Sequence, residues 1–527
     1  MSDKKVEEER FLVYVRETAL PKFMEGNAVY GNILQRVFLR FPGERELQVE
    51  IAAAYERLLK QISAKKLIRL SEEYRINYDG WYVEDDAADW WIIKPRREDF
   101  SYLTQEQYNA VLMLGTFLED GFDRQWCMEA LDGAKGSLPF FFLRLNDWVG
   151  AIREGAFILS KKRLEHCDVE ELFFALPILE KVIGSGRRSG EHVKWLWERA
   201  KERALDIFRE MPDAQLVGRL PYYGSWVKNA IYRLLKRERV LSLVQMEKLL
   251  DAERTGYGKK LLLDGIFLHF GYEKERLERY LASRNTIVRY QALWFCYGHE
   301  QTVWAGLFKM LLDRSRRIRK SVGYLLQKHT DFRILDFYLK ELRQRASEVV
   351  LLGIGEYGTK KEITLIEPFL TVEGNRMVKA ALDAYGRLAG GDGEAVYWKF
   401  LLDARPAVAK SAYRLIRKNR IHYGAKKLYH LFCERHGSVI GKYLLWLLLC
   451  EPSWERLPYL LLLYVGGELS QEEEWRVLRG IDNRYIYAVV SKEQAEKIKE
   501  ILKRDGDKFP EKLKKDILFD LRYVTRE

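Results

Sequence analysis

Between residues 280 and 440, apolar residues return at steps of thirty, and this period limits the possible folds more than any other feature of the chain. Val288, Ile318, Val378 and Val408 share one register, with Val349 slipped by one. Leu312, Leu342, Val372, Leu402 and Phe432 share a second; Ala292, Val322, Leu352, Leu382 and Ala412 share a third. Inside each unit the apolar residues recur at three and four, the spacing of a helix face. A single helix pair of this size cannot bury its apolar side, so neighbouring pairs must supply the other wall. Only 12 of the 527 residues are Pro, which leaves long stretches free to be helical.

A polar pair travels with the period. Asp313 and Arg319 stand six apart, with Ile318 just before the cation. Glu373 and Lys379, Glu253 and Lys259, and Asp147 and Arg153 repeat the spacing. Asp403 keeps Val408 but shifts its cation to Lys410, Ser283 stands in for the acid before Arg289, and Lys228 in WVKNAIYRLL marks a degenerate copy. An acid near the amino end of a helix complements the helix dipole and leaves the cation one turn on to meet a neighbour.

The pattern, an acid, four residues, Val or Ile, then Arg or Lys, resembles HEAT repeats over 145–440. It is closest to the short HEAT-like type also found in phycobilin lyase subunits. The resemblance implies an all-α, right-handed α–α superhelix of antiparallel helix pairs. It further implies that Asp147, Arg153, Glu253, Lys259, Asp313, Arg319, Glu373 and Lys379 form a structural ladder of hydrogen bonds between adjacent repeats. Three regions are expected: a helical amino-terminal region over 1–110, the solenoid over 111–450 and a charged helical cap over 451–527.

The flanks carry their own signals. VEIAAAYERLLKQI (49–62) is an amphipathic helix preceded by a turn at FPGE (41–44). YDGWYVEDDAADWWIIKPRRED (78–99) breaks the helical pattern with a D-G turn, an acidic cluster and Trp81, Trp90 and Trp91. It reads as an inserted loop or hairpin whose tryptophans either bind a ligand or fold back over the first layer. SQEEEWRVL (470–478) and SKEQAEKIKEIL (491–502) open with capping-box spacing, and KFPEKLKKDILFDLRYV forms a last helix. The apolar runs at 443–450 and 457–466 are separated by charged residues and Pro452. Each falls well short of the roughly 20 residues needed to span a bilayer, so two buried helices are expected there.

Hydrophobic residues make up 47% and charged residues 31%, which excludes a disordered chain. The net charge of +12 favours acidic partners. Five scattered cysteines without a C-x-x-C point to free thiols in a reducing compartment. The amino terminus, MSDKKVEEERF, lacks the apolar core of a signal peptide. A cytoplasmic protein without a membrane span is expected.

Motifs for chemistry are weak. GIGEYG (353–358) is a literal G-x-G-x-x-G after a strand-like EVVLL. The repeat register places it in a helical unit, where its glycines suit a tight turn at the end of a first helix and not a dinucleotide. His430, Cys433 and His436 have helical spacing but no second ligand pair. No P-loop, H-E-x-x-H or G-x-S-x-G is present, which weighs against an enzyme, and no cofactor or metal is expected. The remaining charge sits in LLDRSRRIRKSV (311–322). Asp313, Ile318, Arg319 and Val322 there belong to the repeat, whereas Arg314, Arg316, Arg317 and Lys320 are surplus to it and are the candidate binding residues, together with Trp81, Trp90 and Trp91. The function expected is a non-catalytic scaffold that binds a protein or peptide on its curved surface. The alternative is a nucleic-acid-binding solenoid that uses the basic and aromatic surface, related to DNA base excision as in the HEAT-like alkylpurine glycosylases, whose active-site motif no segment here matches.

Overall fold

The computed structural model describes residues 3–74, 97–185, 190–484 and 489–524. Among them there is no β-strand, only an isolated bridge at Val490. The chain divides into two compact units, Met1–His299 and Glu300–Glu527.

In the first unit, the expected 49–62 helix runs over Arg45–Gln61 and packs on Gln105–Gly115. Ala64–Glu73 reaches further, onto Val169–Gly184 and Ser225–Arg237. From Gln105 onward the helices come in pairs. Gly121–Ala130 packs on Gly150–His166, and Ser225–Arg237 on Gly256–Phe270, so second helices lie against second helices. Polar caps start many of them: Thr104 with Gln107, and Ser242 with Gln245, each exchange both bonds of a capping box.

The second unit continues the same device. Its second helices are Arg316–His329, Glu348–Tyr357, Asn375–Ala389, Pro406–Lys418, Val439–Leu448 and Gln471–Asp482, followed by the pair Lys492–Arg504 and Glu511–Val524. Glu348–Tyr357 packs on Asn375–Ala389, which packs on Pro406–Lys418, which meets Val439–Leu448. The apolar runs at 443–466 form two helices, Val439–Leu448 and Ser453–Gly466, with Leu444, Leu457 and Leu461 fully buried. Gly467 ends the second of them in the left-handed conformation. Ser470 and Glu473 close the predicted capping box. The fold class is the stacked α–α architecture that the thirty-residue period predicts.

Burial sharpens the registers. Ile318, Val378 and Val408 are completely buried, each worth about 1.5–3 kcal/mol against exposure. In the slipped repeat the core position belongs to Val350, buried, and not to Val349, which is half-buried. The Leu312 register is the weakest of the three. Leu312 is exposed, Leu342, Val372 and Leu402 are half-buried, and only Phe432 is in the core, because these positions fall at or beyond the ends of first helices.

GIGEYG also departs from expectation. EVVLL and the glycines form one second helix, Glu348–Tyr357, and not a first helix with its turn. Gly353 faces the ring of Tyr338, and a Cβ on Gly355 would lie 2.6 Å from the Ala384 backbone. Gly353 thus makes room for the first helix of its own pair, Ile334–Gln344, and Gly355 lets two second helices approach closely. Gly355→Ala is therefore predicted to lose about 1–3 kcal/mol by overpacking, seen as a lower melting temperature in circular dichroism. Gly391→Ala, which meets open space, should leave the melting curve in place; equal curves for both variants would contradict the packing role.

Candidate functional site

The acid and the cation of the repeat both serve the turn between the helices of one pair. The acid, or its substitute, accepts from the backbone N–H two residues on. Asp147 accepts from Val149 at 3.1 Å, Glu253 from Thr255 at 2.6 Å, Ser283 from Asn285 at 3.2 Å, Asp313 from Ser315 at 2.7 Å and Asp403 from Arg405 at 2.8 Å. The cation reaches back to carbonyls at the same turn. Arg153 donates to the Asp147 and Trp148 carbonyls, Arg289 to those of Ser283 and Arg284, and Arg319 to those of Asp313 and Arg314, all at 2.7–3.2 Å. Arg124 does the same for Leu118 and Glu119. Lys259 reaches the Leu250 carbonyl. Helix ends leave such groups without intrahelical partners; at the Asp147 and Asp313 turns one guanidinium fork and one carboxylate supply them.

Links between neighbouring repeats use the side of each group that the turn leaves over. Asp147 receives Arg124 of the preceding pair at 3.0 Å, and Glu253 receives Lys228 of the preceding pair at 2.9 Å. Tyr232 and the Thr255 hydroxyl complete the Glu253 site at 2.9 and 2.6 Å. Arg319 instead points forward, holding Glu356 through two nitrogens at 2.5 and 3.1 Å. Glu373 is exposed, and Lys379 bonds Asp383 of its own helix at 2.7 Å. Asp403 is held by Arg405 at 2.6 Å, two residues away, and not by Lys410.

Glu356, in the middle of GIGEYG, was invisible as a site from sequence, since no repeat position predicts an acid there. Its side chain is fully buried and gathers cations from the two second helices that flank its own, Arg316–His329 and Asn375–Ala389. Arg319 and Arg387 contact the same oxygen at 2.5 and 3.2 Å, with Arg316 at 3.6 Å, and Lys320 donates to the Glu356 backbone carbonyl at 2.8 Å. The Lys320 ammonium also lies 4.0 Å from the Tyr357 ring centroid. Burial holds Lys320 below its usual value; Glu356 opposes this, and the charges of Arg316, Arg387 and Arg319 add to it. Burial likewise lowers Arg387, opposed by Glu356 and deepened by Arg316 and Arg319. Three guanidinium groups thus share one buried carboxylate, with the Lys320 ammonium on the carbonyl of the same residue.

Of the candidate binding residues, Arg314, Arg316 and Arg317 are exposed and Lys320 is half-buried. Tyr324, 56% exposed, continues the same face of Arg316–His329. Trp81, Trp90 and Trp91 lie outside the described residues, as does 78–96 of the predicted insertion. Among the described residues, no cluster of His, Cys, Asp and Glu is placed to hold a metal ion. His436 instead lies 3.5 Å from Glu473. No described helix is long and apolar enough to cross a membrane.

No protein-family model matches this chain, and no curated protein does. Solved structures give 25 matching chains. One comes from a structure in which Kap95p binding induces the switch loops of RanGDP to adopt the GTP-bound conformation. It is 11% identical with a TM-score of 0.34, over 79% of this chain and 66%, just under two thirds, of that chain. A likeness at that score carries no functional weight.

The buried acids make stability depend on pH. Burial pushes the Asp147 carboxyl up, but the Val149 N–H and the charges of Arg144 and Arg124 outweigh it and hold the group below the usual carboxylate range. Glu253 is held down in the same way, against burial, by the Thr255 hydroxyl and Lys228. A carboxyl held below its unfolded value adds stability that is complete above about pH 4 and is lost as the pH falls through the folded value. Asp147→Asn is predicted to cost about 3 kcal/mol at neutral pH and to flatten the acid limb of urea stability measured across a pH series. Parallel limbs for the variant and the natural protein would contradict this account.

Proposed function

We propose that the chain is a non-catalytic, HEAT-like scaffold that holds an acidic segment of a partner protein on the second-helix face around Arg316, Lys320 and Arg387. The observation that supports it is the imbalance at Glu356. Arg319 is fully engaged by its turn and by that carboxylate. Arg316, 61% exposed, stands at the edge of the same group, with Lys320 and Arg387 beside it. An incoming carboxylate relieves the mutual repulsion of these cations, and guanidinium forks match carboxylate geometry.

The nucleic-acid reading needs open ring faces on which bases can stack. At this site the Tyr357 ring packs against Lys320 and, with centroids 6.0 Å apart, against Tyr338. That arrangement favours carboxylates over bases.

The test is fluorescence anisotropy of the full chain with a labelled peptide of about eight glutamates, enough extended chain to cross three second helices spaced about 10 Å apart. Binding that weakens with salt is expected, and Arg316→Ala, at a 61% exposed position, should weaken it about tenfold, near 1.4 kcal/mol, at unchanged melting temperature. No binding by the natural protein, or equal binding by the variant, would overturn the reading.

A further inference from the structure

Beyond Glu356 the second-helix face of the second unit stays basic. On Pro406–Lys418, Ser411 bonds back to Asp383 of Asn375–Ala389. Tyr413 stacks forward on Tyr443 of Val439–Leu448, with ring centroids 5.1 Å apart. At 100° per residue, Lys410, Arg414 and Arg417 lie between those two flanks, and all three are exposed. Beside the exposed Pro406 and Ala407 of the first turn, the surface between the helix's two neighbours therefore carries three cations and no acid.

The next two second helices extend it into a cation–aromatic cluster. The Trp446 ring has Lys442 at 4.9 Å and Arg476, from Gln471–Asp482, at 5.5 Å. Tyr413 lies 5.6 Å away and receives Arg417 on its hydroxyl at 3.2 Å. One exposed carboxylate, Glu472, meets this group, through Arg476 at 2.8 Å. Cations already lie over these rings, as at Tyr357, so the cluster again offers charge more than stacking area.

We infer that the acidic segment runs on across successive second helices and is held at a second point by Arg414, Arg417, Lys442 and Arg476, so that the partner is an extended acidic stretch and not a short motif. This rests on the reading above. The two clusters occupy the first three and the last three of six consecutive second helices. Their centres are three helix steps apart, about 30 Å at about 10 Å per step, or about nine residues of extended chain. End to end, the face takes about fifteen residues. Joining two weak contacts in one chain raises affinity without any new contact, provided the spacer reaches.

The experiment titrates the full chain with labelled peptides of about eight and about sixteen glutamates, and with a single-stranded DNA of matched charge. The longer peptide is expected to bind about tenfold more tightly, with steeper salt dependence. Arg414→Glu with Lys442→Glu, both at exposed positions, should remove that gain and leave the short peptide's binding intact; an unchanged melting temperature confirms folding, and Lys410→Glu serves if the pair misfolds. Equal affinity for both peptides, or an undiminished gain in the variants, overturns the inference while the reading at Glu356 stands. Failure of both peptides to bind the natural protein overturns the reading itself. DNA binding that exceeds the long peptide's and falls in the same variants overturns the choice of occupant.

Discussion

An arginine that folds back over the turn before its own helix is the contact on which the rest of this architecture depends. Each helix pair must reverse direction within a few residues, and that leaves carbonyls at the end of one helix and N–H groups at the start of the next without partners. Buried and unpaired, each would cost about 1–3 kcal/mol. A guanidinium can serve two carbonyls and still present nitrogens to a neighbour, as Arg319 and Arg124 do. The acid six residues earlier caps the next helix through the N–H two residues on. The spacing of six is therefore the geometry of one turn, and the inter-repeat bonds use what remains of each group.

This division decides which charges are available to a ligand. Cations that close turns are buried or half-buried and already bonded, whereas Arg314, Arg316 and the Lys410–Arg414–Arg417 face are exposed. A stack of similar pairs places equivalent surfaces side by side, so surplus cations on neighbouring second helices gather on one side of the stack. The Tyr357 and Trp446 rings within it carry cations on them, which steers those two sites toward carboxylates.

Much of this was legible in the sequence, because helix periodicity and the acid–cation spacing are local. Ile318, Val378 and Val408 are core, and Asp147 and Asp313 sit at the amino ends of their helices, whereas Arg153 and Arg319, expected to reach a neighbouring repeat, fold back on their own turns. What escaped was set by packing across repeats. The core role of Val350 in place of Val349 reflects a repeat two residues longer than thirty between Ile318 and Val350, and the Leu312 register is apolar without being core. Gly353 and Gly355 read as turn residues until Tyr338 and Ala384 were seen against them. Glu356 had no pattern at all, since its partners Arg319 and Arg387 lie 37 and 31 residues away. Glu373 and Lys379 kept the spacing without its contacts.

A double-mutant cycle at Arg319 and Glu356 bears most directly on the division between structural and ligand-facing charge. Unfolding free energies of Arg319→Ala, Glu356→Ala and the double variant, from urea denaturation at neutral pH, give the coupling between two side chains that are both buried. A coupling of about 1–3 kcal/mol is predicted for a pair joined in one network. Additive losses, with a coupling near zero, would show that Arg319 does not fasten one repeat to the next, and would return it to the basic surface from which the structure removes it.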